Sequence, residues 1–307
     1  MKKYVIATAI GLLMSGAAQA GTIGVTMANS DTFLTVLRNA IVSAAKEKNQ
    51  SLSVEIAEDD VGKQISQIQN FIAAKVDAII VNATDTSATP KMTALAAAAG
   101  VPLVYVNRQP SDVDKLGSKA AFIASNEVDS GTLETKEVCK MLGGKGDILV
   151  IVGDLANQAA IQRTKDIHDV IATSECKGMK IIDEQTAGWD PVKAQDLMTN
   201  WISAGHKPAA VISNNDNMAI GAIQAMKAAK WDLNKVIVSG IDATQEGLAS
   251  MKAGDLKVTV FQNGVGQGRG ALDLAMALAS GKTVEKKTYV PFELVTPANM
   301  SKFLAAN

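Results

Sequence analysis

The residues best suited to chemistry in this chain lie at the ends of predicted strands or at the starts of the helices that follow. Aromatic rings can cover the weakly apolar C–H faces of a cyclic polyol, while carboxylate, amide and guanidinium groups hydrogen-bond its hydroxyls. The candidate ligand-binding residues are Asp31, Phe33, Asn107, Arg108, Arg163, Trp189, Asn215, Asp242 and Gln262. Because no nucleophile and base are paired among them, the set predicts reversible binding, with no catalytic residue.

Local structural roles compete with this interpretation. Phe33 could be the first core residue of its helix, and Trp189, before Asp190–Pro191, fits a hydrophobic staple at a helix start. Asn215 and Asp242 could simply cap the helices that follow them. Both arginines could be ordinary surface charges. Only the joint pattern favours a binding site.

Short apolar runs alternate with helical patterns along the chain. The predicted strands are Ile23–Met27, Ser53–Ala57, Ala78–Val81, Leu103–Val106, Phe122–Ala124, Asp147–Val152, Met179–Asp183, Ala209–Ile212, Val236–Ser239 and Lys257–Phe261. The predicted helices are Phe33–Lys48, Gly62–Ala74, Ser87–Ala99, Ser130–Leu142, Ala159–Thr173, Pro191–Ser203, Asp216–Ala229 and, from about Gly266, a helix to Ala279. This βαβ rhythm predicts an α/β protein with two similar halves, each a parallel sheet covered by helices. Ligands of such sheets bind at the carboxyl ends of the strands.

The first twenty residues have the pattern of a secretory signal peptide. Lys2 and Lys3 precede an apolar stretch, Tyr4–Met14, which is too short to span a bilayer, and Ala18–Ala20 supplies a small-residue cleavage pattern. An ordinary amphipathic helix is the alternative, but the apolar residues are continuous. We expect an exported mature chain that starts at Gly21.

Composition excludes several classes of function. Removal of the leader takes the formal charge from −1 to −3, and both signs are scattered along the chain. Nucleic acid requires a basic face, so it is not an expected partner. The sequence also shows no metal-ligand spacing, and we expect neither a metal nor a cofactor.

Other potentially reactive residues have plainer explanations. Cys139 and Cys176, exported to an oxidising compartment, either form a disulfide or remain separate buried thiols. His168 and His206 have no evident catalytic partners. From Gly266 the chain satisfies the dinucleotide pattern G-x-G-x-x-A, but no strand ending in an acid follows. Close helix packing explains those glycines better.

Seven segments together resemble the periplasmic sugar-binding proteins of ABC importers, specifically the ribose-binding type. They are TIGVTMANSDTF, VPLVYVNRQ, AAIQRTKDIHDVI, AGWDPVKAQDLM, ISNNDNMAIGAIQAMKAAK, VSGIDATQEG and VTVFQN. The resemblance covers the whole mature chain. It implies the type I periplasmic binding protein fold, in which two Rossmann-like lobes with parallel sheets are joined by a hinge of several strands.

The resemblance also implies how the chain is divided and where the ligand lies. Residues 21–124 plus 263–291 would form the N-terminal lobe, and residues 125–262 plus 292–307 the C-terminal lobe, after a leader of residues 1–20. Phe33 and Trp189 would sandwich the ligand ring, and the two arginines with Asp242 would hold its hydroxyls. A monomer delivering its ligand to an ABC transporter permease is implied.

Two departures from the ribose-binding pattern bear on the ligand. Asn107 stands where the family commonly has Asp, and Leu34 stands where it has a second aromatic. The first loop also looks one residue shorter, which affects the assignment of Asp31. The Tyr-Val-Asn-Arg run is more similar to inositol and rhizopine binders, so we expect a cyclic polyol or six-membered sugar.

Three other functions are compatible with parts of the sequence. Asp31 and Asp242 could imitate the carboxylate pair of a glycosidase. A transcription regulator can share this fold, but the leader and the missing basic helix-turn-helix disfavour it. A receptor that presents its ligand to a chemotaxis or signalling partner is compatible with transport.

Overall fold

The computed structural model describes residues 21–306, so the predicted leader lies outside the described residues. In chain order the strands are β1 (Thr22–Met27), β2 (Ser51–Ile56), β3 (Ala78–Val81), β4 (Leu103–Val106), β5 (Ala120–Ala124), β6 (Lys145–Val152), β7 (Gly178–Thr186), β8 (Ala210–Ser213), β9 (Ile237–Ser239), β10 (Thr259–Gln262), β11 (Lys287–Tyr289) and β12 (Phe292–Val295). The helices are α1 (Thr32–Glu47), α2 (Val61–Ala73), α3 (Thr89–Ala99), α4 (Glu127–Leu142), α5 (Gln158–Ile171), α6 (Pro191–Ser203), α7 (Asp216–Ala228), α8 (Gln245–Lys252) and α9 (Gly264–Ala279). Short 3₁₀ turns lie at Thr86–Ala88, Val113–Lys115 and Met300–Lys302.

The first half of the fold is built on a six-stranded sheet with the order β11-β5-β4-β3-β1-β2. All its strand pairs are parallel. Strand β3 reads Ala-Ile-Ile-Val and is buried along its whole length, as expected for a parallel strand covered on both faces. Helices α1 and α9 cover one face, and α2 and α3 cover the other.

The second half repeats this plan on a four-stranded parallel sheet with the order β7-β6-β8-β9. Helices α6, α7 and α8 pack on one face, and α4 and α5 on the other. Cys139 on α4 forms a disulfide with Cys176, which precedes β7. Of the two alternatives, a disulfide or two separate buried thiols, the structure has the disulfide. A separate antiparallel pair, β10 with β12, completes this half.

Three elements are missing from the sequence prediction. Strands β11 and β12 are short and partly exposed, and they lack the continuous buried apolar run that marks the equally short β3 and β4. Helix α8 has eight residues and is short for a periodic signal. Several predicted bounds also shift: β10 starts at Thr259, two residues after the predicted Lys257, and α4 starts at Glu127, three residues before the predicted Ser130. Arg163 lies in the second turn of α5.

The described chain passes between the two halves three times. After β5 in the first sheet it enters α4, which packs on the second sheet, and after β10 it enters α9, which packs on the first. The last passage joins β11, at the edge of the first sheet, to β12. Adjacent connections of this kind can act together as a hinge.

The glycine-rich start of α9 serves close helix packing. A Cβ added at Gly268 would lie 2.6 Å from the Leu37 carbonyl oxygen and 2.8 Å from the Ala40 Cβ of α1. Only a residue without a side chain allows the two helices to approach this closely. Within residues 21–306, no helix has the length and apolar character needed to cross a membrane.

Candidate functional site

A small cavity of about 40 Å³ lies between the carboxyl ends of the strands of both halves. Its lining residues are Phe33, Leu34, Asn107, Arg108, Glu127, Asn157, Ala159, Arg163, Trp189, Asn215, Asp242 and Gln262. The structure thus brings together eight of the nine residues singled out from the sequence.

Asp31 is the predicted residue that does not line the cavity. It is the N-cap of α1, where its Oδ1 accepts a hydrogen bond from the Leu34 backbone N–H at 2.7 Å. Burial raises the pKa of this carboxyl, while the Leu34 N–H and the Arg108 charge act in the opposite direction. Asp31 therefore holds the start of α1, the helix that supplies Phe33 and Leu34.

Two aromatic rings reach the cavity, one from each half. Phe33 lies in the first turn of α1 and is 7% exposed. Trp189 precedes α6 with a backbone φ of 67°, and its ring packs directly on Gly153. Asp190 caps α6 by accepting from the Val192 and Lys193 N–H groups. Capping leaves Trp189 free to line the cavity.

Arg108 is held rigidly from the first half. It follows β4, and its Nη1 donates to the carbonyl oxygens of Ala83 at 2.9 Å and Thr84 at 3.2 Å. Burial lowers its pKa, and the nearby Asp31 carboxylate partly offsets this effect. A guanidinium anchored through one nitrogen keeps donors on its other nitrogens for a ligand.

Arg163 is the corresponding group of the second half. Its Nε and Nη2 donate to the two carboxylate oxygens of Glu127 at 2.8 and 3.1 Å, and its Nη1 donates to the Asn214 carbonyl at 2.7 Å. The Asp242 Oδ1 lies 3.9 Å from Nη1. All three charged side chains are nearly completely buried. The bidentate pair fixes the plane of the guanidinium beside the Trp189 ring, whose centroid lies 5.7 Å from Arg163 Cζ.

Asn215, Asp242 and Gln262 complete the second-half wall. Asn215 is the N-cap of α7 and accepts from the Met218 N–H, a role that uses its oxygen and not its amide nitrogen. The cap of α8 is Thr244, so Asp242 does not have the capping role that competed with binding. Asp242 has an unusual backbone φ of 118°. Burial raises the pKa of its carboxyl well above the usual value, against the opposing Arg163 charge.

Four lining residues were not chosen from the sequence: Leu34, Glu127, Asn157 and Ala159. Leu34 adjoins Phe33 and was noted only as a departure. Asn157 caps α5 by accepting from the Ala159 N–H, and a polar residue between a strand and a helix was the available signal. Glu127 lies in the first turn of α4, three residues before the predicted start of that helix.

The arrangement combines donors, acceptors and rings without a group that is poised to attack a bond. Two arginines, two carboxylates, amides and two aromatic rings surround one small space. Within residues 21–306, no three His, Cys, Asp or Glu side chains are grouped so that they could hold a metal ion. Such a surface can bind a compact neutral ring with many hydroxyl groups, because each hydroxyl both donates and accepts.

Comparison with known proteins agrees with this geometry. A family model described as periplasmic binding protein domain matches residues 23–283. A protein of Rhizobium meliloti named "Putative rhizopine-binding protein" is 58% identical over 309 residues, covering all of both chains. An ABC transporter solute-binding protein from Bacillus halodurans C-125 with bound myo-inositol superposes with a TM-score of 0.89, at 38% identity, over 95% of this chain and 100% of the other. The Caulobacter myo-inositol binding protein, bound to myo-inositol, gives a TM-score of 0.85 at 28% identity over 95% and 98% of the two chains.

Proposed function

Because this chain belongs to the family of periplasmic binding proteins, we propose that it captures a cyclic polyol between its two halves and delivers it to an ABC import permease. The ligands named for its relatives, rhizopine and myo-inositol, direct the choice toward inositol-like rings. The chain would bind its ligand without changing it chemically, as a monomer, in the periplasm. Residues 1–20 would direct export.

The observation that carries this proposal is the composition of the cavity wall. Phe33 and Trp189 come from different halves and line the same space, together with Arg108 from the first half and Arg163 from the second. A ligand that contacts both halves stabilises the closed arrangement over any open one. We propose that Phe33 and Trp189 cover the two faces of the ring and that the polar residues bond its rim.

We further propose that the two halves are separate lobes, with the boundaries expected from the sequence. Residues 21–124 plus 263–291 would move against residues 125–262 plus 292–307 about the three connections. In support, β5 and β10 end at Ala124 and Gln262, beside two of these boundaries. The closed pair of lobes would form the surface recognised by the permease, or by a chemoreceptor if the protein also signals.

A thermal-shift screen tests the ligand class. The mature protein is heated alone and with myo-inositol, scyllo-inositol, ribose, galactose or glycerol. A ligand present at a hundredfold its Kd should stabilise the protein by about 2.7 kcal/mol. We expect this response from at least one inositol and none from glycerol, which cannot fill the cavity or meet both rings.

Two variants tie the response to the cavity. Trp189→Ala removes one face of the proposed sandwich, and Asp242→Asn removes a buried carboxylate, so both should abolish the shift while the ligand-free protein still melts cooperatively. Asp196→Asn, on the exposed surface of α6, is the matched control and should respond as the wild type does. A full response from either cavity variant would show that the residue does not contact the ligand. No response of the wild type to any ring polyol would contradict the function itself.

A further inference from the structure

A directional chain of side-chain amides runs beneath the first-half wall of the cavity. It starts at Asn82, directly after β3, and its members are buried or half-buried. Asn82 Nδ2 lies 3.4 Å from Asn107 Oδ1, Asn107 Nδ2 lies 3.2 Å from Gln267 Oε1, and Gln267 Nε2 lies 3.0 Å from Ser125 Oγ. None of these four side chains carries a charge. The direction of this series of hydrogen bonds therefore depends only on which group donates in each bond.

The backbone fixes that direction at its starting point. The Ala28 N–H donates to Asn82 Oδ1 at 3.3 Å, and Asn82 Nδ2 donates to the Val106 carbonyl at 3.2 Å. A backbone N–H can only donate and a carbonyl can only accept, so the Asn82 amide has one allowed orientation. Its nitrogen therefore faces Asn107, which must present its oxygen to Asn82 and its nitrogen to Gln267.

The orientation of Asn107 decides what it can offer a ligand. One N–H of its amide is used by Gln267, and its oxygen accepts from Asn82. One N–H and one lone pair remain, so Asn107 can both donate to a ligand hydroxyl and accept from it. A backbone φ of 68° places this residue in the left-handed region, which asparagine tolerates better than most residues.

Gln267 is the member that links the cavity to the rest of the molecule. It is completely buried, lies in the first turn of α9, and is not one of the residues that line the cavity described above. Its oxygen accepts from the cavity residue Asn107, and its nitrogen donates to Ser125, the first residue after β5. Both neighbouring connections between the halves, β5 to α4 and β10 to α9, are thereby tied to Asn107.

We propose that Gln267 is a positioning residue that fixes the Asn107 amide for ligand recognition through the bonds Asn82–Asn107–Gln267–Ser125. The proposal rests on the function proposed above, in which Asn107 contacts the ligand. A carboxylate at position 107 would face the Gln267 oxygen. The Gln267 amide would then have to turn over, with its nitrogen toward residue 107 and its oxygen accepting from the Ser125 hydroxyl.

A double-mutant cycle with myo-inositol tests the coupling. Gln267→Met keeps the length of the side chain but removes both of its hydrogen bonds, and we expect about a fivefold weaker Kd, since one hydrogen bond contributes about 1 kcal/mol. Asn107→Ala should weaken binding at least as much. If Gln267 acts through Asn107, the double variant should bind no more weakly than Asn107→Ala alone. Additive losses would overturn the proposal, because a merely structural effect of Gln267 does not depend on residue 107.

A second measurement needs no ligand and separates this proposal from the proposed function. In the ¹⁵N–¹H spectrum of the ligand-free protein, the Asn107 side-chain amide, identified by its loss in Asn107→Ala, should shift in Gln267→Met. The exposed Gln224→Met on α7 is the matched control and should leave it in place. An unchanged Asn107 resonance in Gln267→Met would refute the positioning role. Failure of the wild type to bind myo-inositol would instead count against the ligand class, and the spectrum would still decide the role of Gln267.

Discussion

At the scale of single residues, the second-half wall depends on a buried cluster of opposite charges. Arg163 is paired with Glu127 in a bidentate contact, and Asp242 lies within 4 Å. Removing one member of a buried pair commonly costs about 3–5 kcal/mol, because the partner charge is left without compensation. Glu127 is therefore necessary to the geometry of Arg163, in addition to lining the cavity itself.

Behind this cluster, Glu134 provides a test of pH dependence. It lies on α4 with no exposed surface, and burial raises the pKa of its carboxyl from 4.5 to about 8. Between these two values the unfolded chain has released the proton and the folded chain retains it, so stability falls as pH rises. The side chain of Glu134→Gln cannot titrate. As the pH rises from 5 to 8, the free energy of unfolding of this variant should therefore increase by about 3 kcal/mol relative to that of the wild type.

Urea unfolding of both proteins at the two pH values measures this difference. The exposed Glu246→Gln on α8 serves as the control and should follow the wild type. A constant difference between Glu134→Gln and the wild type would show that Glu134 is ionised in the folded protein across the whole range.

The sequence located most cavity residues because parallel strands deliver their following residues to one edge of the sheet. That argument placed Phe33, Asn107 and Asp242 together. It missed Glu127 because the predicted helix started at Ser130, although Asn126 and the acidic first turn with Glu127 and Asp129 were an available signal for an earlier start. The orientation of the Asn107 side-chain amide could not be predicted either, because it depends on a hydrogen bond to Gln267, 160 positions away in the sequence.

At the scale of elements, the long amphipathic helices and buried strands were predictable, and the short pieces were not. Strands β3 and β4 and helix α6 have the predicted bounds. Strand β11 reads Lys-Thr-Tyr with both ends exposed, and it exists because β5 offers it a parallel edge. A pairing formed by residues so distant in sequence leaves no local pattern.

The contact between α1 and α9 gives a prediction at this scale. Gly268→Ala places a methyl group against the Leu37 carbonyl and Ala40, so the helices must separate. We expect a loss of about 1–3 kcal/mol in the free energy of unfolding, measured by urea denaturation. Gly117→Ala is the control, since a Cβ there meets no atom within 4 Å. Equal stabilities of the two variants would show that the helix pair adjusts freely.

At the scale of the whole molecule, the two halves also touch where no ligand can intervene. Asn217 Nδ2 at the start of α7 donates to Thr32 Oγ1 of α1 at 3.2 Å. At a second place, the Thr86 N–H and hydroxyl both donate to the Ala156 carbonyl, at 3.0 and 3.1 Å. None of these four residues lines the cavity. These bonds hold the two halves together in this arrangement without a contribution from a ligand.

Weakening these contacts should therefore reduce affinity without altering the cavity. Asn217→Ala should raise the dissociation rate of the ligand about threefold to tenfold, because the closed form loses one hydrogen bond. Stopped-flow tryptophan fluorescence measures this rate, with Asn200→Ala on the exposed surface of α6 as the control. A dissociation rate equal to that of the wild type would mean that the Asn217 bond forms equally well in the open protein.

The placement of β11 and β12 has a consequence for biosynthesis. One completes the edge of the first sheet and the other is the partner of β10, yet both are translated after residue 286 of 307. On the ribosome, the edge strand of the first sheet and the partner of β10 are therefore made after every other strand of the described chain. The pairings β5–β11 and β10–β12 have to form after the rest of each half has been synthesised.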